Sequence, residues 1–400
     1  MRSVPLRAVV IVAVLFLAAG IARADYCELA KEAIKDAAKL RGLSPRKEVP
    51  CEVKDQDSTR DYILSTIKEK LPADRLKNEA YAYKAIGMIP EDFDYEKGIV
   101  EMYVSQIGGF YDPDKKLFVM AAWIPEMMQR SVAVHELTHG LQDQYFDLSK
   151  FIDMSVSNSD EQLAHSALVE GDATIVMLDY SRQQMGQGRL ASEPNVENVI
   201  MQSLLGASIG GTPGNVPESL KMMMLFPYTS GLRLAHVLLH KEGYSGLNEA
   251  FKKGGPRSTE EVLHPEKFGV QREDFLRVSA ESLRPAGFSA NLKPAYEDTI
   301  GEFGISALLG MFVKNKREST SAAAGWGGDR IAIFREGGRE CLVWKTHWDS
   351  EADADEFERV FQSTIKARSL YKDGSKSGMK APERNLKRTP DNVLFESCGS

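Results

Sequence analysis

His135-Glu136-Leu137-Thr138-His139 decides how the rest of the chain is read. On a helix, positions i and i+4 lie one above the other on one face, so both imidazoles reach a single metal ion from one turn. Glu136 points about 100° round from His135, near enough to act on a water at the metal without ligating it. This is the H-E-x-x-H pattern of zinc hydrolases, with two nitrogen ligands and a general base on one helix. Zinc in a hydrolase takes three protein ligands and keeps a fourth position open, so a third ligand must come from elsewhere. Metzincins place a glycine and then a histidine shortly after the second histidine. Gln142 and Tyr145 occupy those positions here, which excludes that class.

A glutamate on a second helix is the other common solution, and two are near. Glu161 falls in the first turn of a helix expected over about 160–185, where any acid favours the helix dipole. Ser159 and Gln162 supply an S-x-x-Q capping box for that helix. Glu170, in Ala167-Leu-Val-Glu170-Gly-Asp-Ala-Thr174, shares its helical face with Leu163, Ala167, Ala173, Thr174 and Met177. A carboxylate on such a face is costly to bury without a cation, and zinc would supply the charge. Gly140 and Gly171 each follow a proposed ligand directly, although glycine weakens a helix by about 1 kcal/mol relative to alanine. They are expected to let the two helices approach closely around the metal.

The expected organisation is an α+β protein. Residues 25–90 read as helices over 26–40, 59–71 and 72–86. Residues 91–290 hold the catalytic motifs: strands at 106–111 and 117–121, the His135 helix opened by Pro125, the Glu170 helix, a glycine-rich loop over 206–217, a helix over 227–243 and a shorter one over 275–283. The stretch 106–110 is expected as an edge strand beside the cleft. Residues 291–400 form a small α/β unit with strands at 331–334 and 341–346, a helix capped by Asp349 or Ser350, a basic flexible connection over 366–388 and a last strand near Val393. Residues 322–328 read as small and flexible.

Residues 1–24 read as a signal peptide. Arg2 and Arg7 precede an uncharged run of 15 residues from Ala8 to Ala22, and Ala22-Arg23-Ala24 suits a signal peptidase. That run is short for the roughly 20 residues of a membrane span. The chain has 50 Lys+Arg and 57 Asp+Glu. Cleavage removes three arginines and no acid, taking the formal charge from −7 to −10. An acidic chain without a basic stripe is a poor nucleic-acid binder. Export permits disulfides; pairing Cys27 with Cys51 and Cys341 with Cys398 would tie down both ends, one of three possible pairings.

His135, Glu136, His139 and Glu170 together resemble the gluzincin branch of zinc metallopeptidases, in which a glutamate on a following helix completes the metal site. A wider stretch, about 81–348, is similar to a family of uncharacterised exported bacterial proteins classed with the metallopeptidases. The segments that carry this are Ile89-Pro-Glu-Asp-Phe-Asp94, Gly108-Gly-Phe-Tyr-Asp-Pro113, the His135 motif, residues 167–173, Phe226-Pro-Tyr-Thr-Ser-Gly231, Ser258-Thr-Glu-Glu-Val-Leu-His-Pro-Glu266 and Trp326-Gly-Gly-Asp-Arg330. The resemblance implies a zincin-like catalytic domain and a reaction class, hydrolysis at one catalytic Zn²⁺ with Glu136 as general base, but not a substrate; with peptide hydrolysis as the expected reaction, a peptide or protein is the expected partner. Pro227-Tyr228-Thr-Ser-Gly231 is similar to the P-Y-x-x-G element of gluzincin aminopeptidases, which makes Tyr228 the first candidate for stabilising the oxyanion; His264 is the second. Gluzincins often carry an aspartate four residues after the ligand glutamate. Thr174 stands there; Asp143, four residues after His139, is placed to hold a neighbouring group, whereas Asp172 lies about 200° from Glu170 on an ideal helix. A zinc-bearing but non-hydrolytic envelope binding protein is the rival reading, and an intact Glu136 argues against it. His165, His236 and His240 read as helix surface.

Overall fold

The chain folds as a mixed α+β protein with two small sheets, seen in a computed structural model that describes residues 23–72, 74–106, 108–153, 158–202, 216–268, 278–371 and 383–399. Four helices precede or flank the first sheet: α1 (Arg23–Arg41), α2 (Gln56–Lys70), α3 (Arg75–Ile86) and α4 (Tyr95–Gln106). The sheet itself has β1 (Cys51–Lys54), β2 (Gly109–Asp112) and β3 (Leu117–Ala121) in the order β1-β3-β2. The 25–90 region is therefore not wholly helical. Its strand β1 runs parallel to β3, and every residue of β3 is buried. The first hairpin strand starts at Gly109, later than expected, because the chain up to Gln106 is helical.

Helix α5 (Glu126–Phe146) carries the His135 motif and starts after Pro125. Its apolar face, Ala133, Val134, Leu137 and Leu141, packs with Ala33, Ala37 and Leu40 of α1 and with Phe118 and Met120 of β3. The short α6 (Leu148–Phe151) leads to α7 (Ser159–Gln184), the glutamate helix. Its N-cap is Asn158 rather than Ser159. The Asn158 side chain accepts from Glu161 N at 3.2 Å and donates to Glu161 Oε2 at 3.0 Å, so Glu161 is spent on the cap.

Helix α8 (Glu218–Lys252) starts well before the expected Pro227, which lies inside it, and breaks at Gly243, whose φ is +63°. It crosses α7 at very close range. A Cβ on Gly171 would sit 2.1 Å from Gly231 O, and one on Gly231 would sit 2.1 Å from Ala167 O. Only glycines allow the two backbones to meet there. Helix α9 (Thr259–Leu263) follows.

The C-terminal sheet runs β4-β5-β6-β8-β7, from β4 (Tyr296–Asp298), β5 (Trp326–Glu336), β6 (Arg339–Trp348), β7 (Glu383–Thr389) and β8 (Asn392–Gly399). Helices α10 (Gly301–Gly310), α11 (Lys316–Ala323) and α12 (Glu351–Tyr371) belong to the same unit. Trp344, Phe357, Phe361 and Phe395 bury their rings between α12 and the sheet. Two expectations change here. Residues 322–328 end α11 and begin β5, and 383–389 forms edge strand β7 where a flexible connection was expected. Ser350 accepts from Asp353 N at the start of α12. Of the three possible cysteine pairings the local one is present: Cys27–Cys51 joins α1 to β1, and Cys341–Cys398 bridges partners on β6 and β8. The signal run, most of the 206–217 loop, part of the 275–283 helix and residues 372–382 of the expected flexible connection lie outside the described residues. No helix among the described residues is long and apolar enough to cross a membrane.

Candidate metal centre

His135 and His139 project from successive turns of α5 toward α7, and Glu170 meets them from that helix. His135 Nε2 lies 3.0 Å from Glu170 Oε2, His139 Nε2 lies 3.4 Å from the same oxygen, and the two Nε2 atoms are 3.2 Å apart. Ligand atoms placed about 2.0–2.1 Å from a tetrahedral zinc ion lie roughly 3.3 Å from one another. The spacing and the nitrogen-nitrogen-oxygen donor set therefore fit one zinc ion. Among the described residues this is the one cluster of three or more His, Cys, Asp or Glu side chains able to hold a metal.

Charge at the site follows from burial and proximity. Burial raises the Glu170 carboxyl, but the His139 charge and hydrogen bonds from both imidazoles outweigh it and hold the group well below the usual carboxylate range. Burial lowers His139, yet Glu170 beside it pushes the imidazole up to about 9. Glu136 is raised, mainly by burial, against the lowering effect of the two histidines. Its Oε2 accepts from Tyr111 N at 3.1 Å, so edge strand β2 holds the carboxylate directly. Asp143 steadies that strand: its Oδ2 accepts from Tyr111 Oη at 2.7 Å, while Oδ1 accepts from Lys116 Nζ at 2.9 Å.

Tyr228, on α8, belongs to this group. Its ring centroid is 6.3 Å from that of His135, and the charge of Glu170, together with burial, raises the phenol well above its usual value. The residue is 43% exposed. It lies in mid-helix, just after Pro227, rather than at a helix start. Tyr103 of α4 is another exposed aromatic near Tyr228.

His264 is placed differently. Its Nε2 is 3.0 Å from Glu302 of α10, a carboxylate 2% exposed, and the ring serves that contact rather than the three ligands. His165 and His236 are not helix surface. His165 Nδ1 bonds Phe151 O at 2.6 Å, and buried His236 bonds Leu190 O and Glu193 O. The two motif glycines also serve other elements than expected: Gly140 faces Val49 and Tyr111, and Gly171 faces α8.

Sequence reasoning missed the support behind His139. Gln142 Oε1 faces His139 Nδ1 at 2.8 Å, and Gln142 Nε2 donates to Asp172 Oδ2 at 2.9 Å. The i, i+3 spacing from His139 to Gln142 was the available signal. Asp172 does point away from the metal face, as its position on the helix requires, and reaches the site through that amide.

A family described as "Domain of unknown function (DUF8575)" matches residues 291–393, the C-terminal unit. No curated protein and no solved structure matches the chain.

Proposed function

We propose that the protein is an exported zinc-dependent peptidase of gluzincin type, with a zincin-like catalytic region and with His135, His139 and Glu170 as the metal ligands. Bound there, zinc would supply Lewis acidity, activating water and polarising a carbonyl. Glu136 is the general base: it takes a proton from the attacking water and returns it to the departing amine, a role suited to a carboxyl raised by burial. Tyr111 N–H holds one of its oxygens, which leaves the other for the water. Tyr228, beside His135, is the hydrogen-bond donor for the oxyanion. The two disulfides support an oxidising compartment, periplasmic or external. The substrate is a peptide or protein, and the acidic chain offers nothing to nucleic acid.

The observation that carries this reading is Glu136 lying half-buried beside a histidine–histidine–glutamate trio whose spacing suits zinc. Elemental analysis of the purified protein tests the metal, and stoichiometric zinc is expected. Glu136→Gln tests the chemistry: zinc should stay while cleavage of a peptide library disappears. Equal cleavage by wild type and variant would refute the mechanism.

A further inference from the structure

Arg41, the last residue of α1, is 0% exposed. Its Nε–H donates to Asp172 Oδ2 at 2.8 Å, Nη2 donates to Asn248 Oδ1 at 2.8 Å, and the guanidinium lies 4.7 Å from the centre of the Tyr244 ring. Asp172 is also 0% exposed. The same Asp172 oxygen accepts from Gln142 Nε2, which donates to Val169 O at 3.0 Å as well. An amide has two unlike ends. Once its NH₂ is committed to two acceptors, the oxygen must face His139. That oxygen only accepts, so His139 Nδ1 carries the proton and Nε2 keeps its lone pair toward Glu170 and His135. Without a carboxylate at 172 the amide could turn over and put the lone pair on the wrong nitrogen. A carboxylate at 172 is costly to keep, fully enclosed, without a cation against it.

We propose that Arg41 is a positioning residue for the metal ligand His139, acting through Asp172 and Gln142. This makes α1 a permanent part of the site and not a detachable pro-segment. The inference rests on the zinc reading of the trio. It differs from it in the residues at risk, none of which touches the ion.

The test is the zinc dissociation constant of the mature chain, measured by chelator competition with zinc alone and well below the melting temperature. Arg41→Met leaves Asp172 unpaired, and its folding is not assured. Arg41→Met/Asp172→Leu removes both charges and keeps the interior apolar, so it should fold. The double variant is expected to bind zinc about 10- to 100-fold more weakly, the usual effect of losing a partner behind a ligand. Arg41→Lys, which keeps the charge, should recover part of the loss. A purely structural Arg41 would lower the melting point and leave the affinity of the folded variants that keep Asp172 unchanged, and that result overturns the proposal. A wild type without zinc would overturn the zinc reading and this inference together; tight zinc in wild type and double variant alike overturns the inference only.

Discussion

Gly171→Ala is the substitution whose direction separates this structure from generic helix behaviour. In an ordinary helix interior, alanine for glycine stabilises by about 1 kcal/mol. Here the new Cβ would lie 2.1 Å from Gly231 O and 2.4 Å from Gly231 C, both backbone atoms, whereas ordinary contact begins at 3.4 Å. No rotamer relieves this, so α7 and α8 must part by about 1 Å. Overpacking of that kind costs about 1–3 kcal/mol. Set against the propensity gain, we expect a net loss of up to about 2 kcal/mol and a melting midpoint lower by a few degrees. Glu170 is the adjacent residue, and the trio's 3.0–3.4 Å spacings leave little room for displacement. Zinc affinity should therefore fall at least about tenfold, since sites need positioning to about 0.5 Å. Calorimetry of the metal-free protein and chelator competition measure both effects. Gly231→Ala should behave alike, and Gly188→Ala, with nothing within 4 Å of its Cβ, should be nearly neutral. A Gly171→Ala protein that melts above wild type would refute the packing argument.

Other outcomes follow from the same geometry. Tyr228→Phe should retain zinc and lower kcat by about 10²- to 10³-fold, as measured by steady-state kinetics on a cleaved peptide. His264→Ala should leave zinc content unchanged and destabilise by about 1–3 kcal/mol in denaturant titration, because Glu302 loses its partner in a buried setting. In the metal-free protein His139 is raised from 6.5 to about 9. Its pairing with Glu170 therefore contributes fully below pH 6.5 and is lost as pH rises through about 9. Zinc must displace that proton, so its apparent affinity should climb about tenfold per pH unit and level off near pH 9; a flat titration series would contradict this. Replacing Cys27 and Cys51 by alanine opens a loop with a sequence separation of 24, for an expected loss of about 3 kcal/mol on thermal unfolding.

The site was legible wherever the chemistry was local. His135, Glu136 and His139 lie within one helical turn, and Glu170 stood out as a carboxylate on an apolar face. Helix α5 and strands β3, β5 and β6 followed from apolar periodicity and turn residues. What stayed hidden depends on distance along the chain. β1 has only four residues, and its strand character is fixed by pairing with Phe118–Ala121 rather than by its own pattern. The Arg41–Asp172 pair spans 131 residues, so no local spacing reveals it. Asn158 replaced Ser159 as the cap because Ser159 is engaged by Asp298, a residue of the C-terminal sheet. Pro227 looked like a helix start because proline favours the first turn, yet packing of α8 on α7 carries the helix through it. His165 and His236 looked exposed from their spacing alone, and each is occupied by a distant carbonyl.

That Asp298 has a wider consequence. It is 0% exposed, receives Ser159 N at 2.7 Å and Ser159 Oγ at 2.6 Å, and also holds Tyr296 and Arg75. The footing of the helix that bears Glu170 thus lies in the unit matched by a family of unknown function. A chain trimmed before that unit would take the acceptor from Ser159 N–H and Oγ at the first turn of α7 and leave Arg75 with Glu79 as its one remaining carboxylate, so the footing of the glutamate helix depends on the tail.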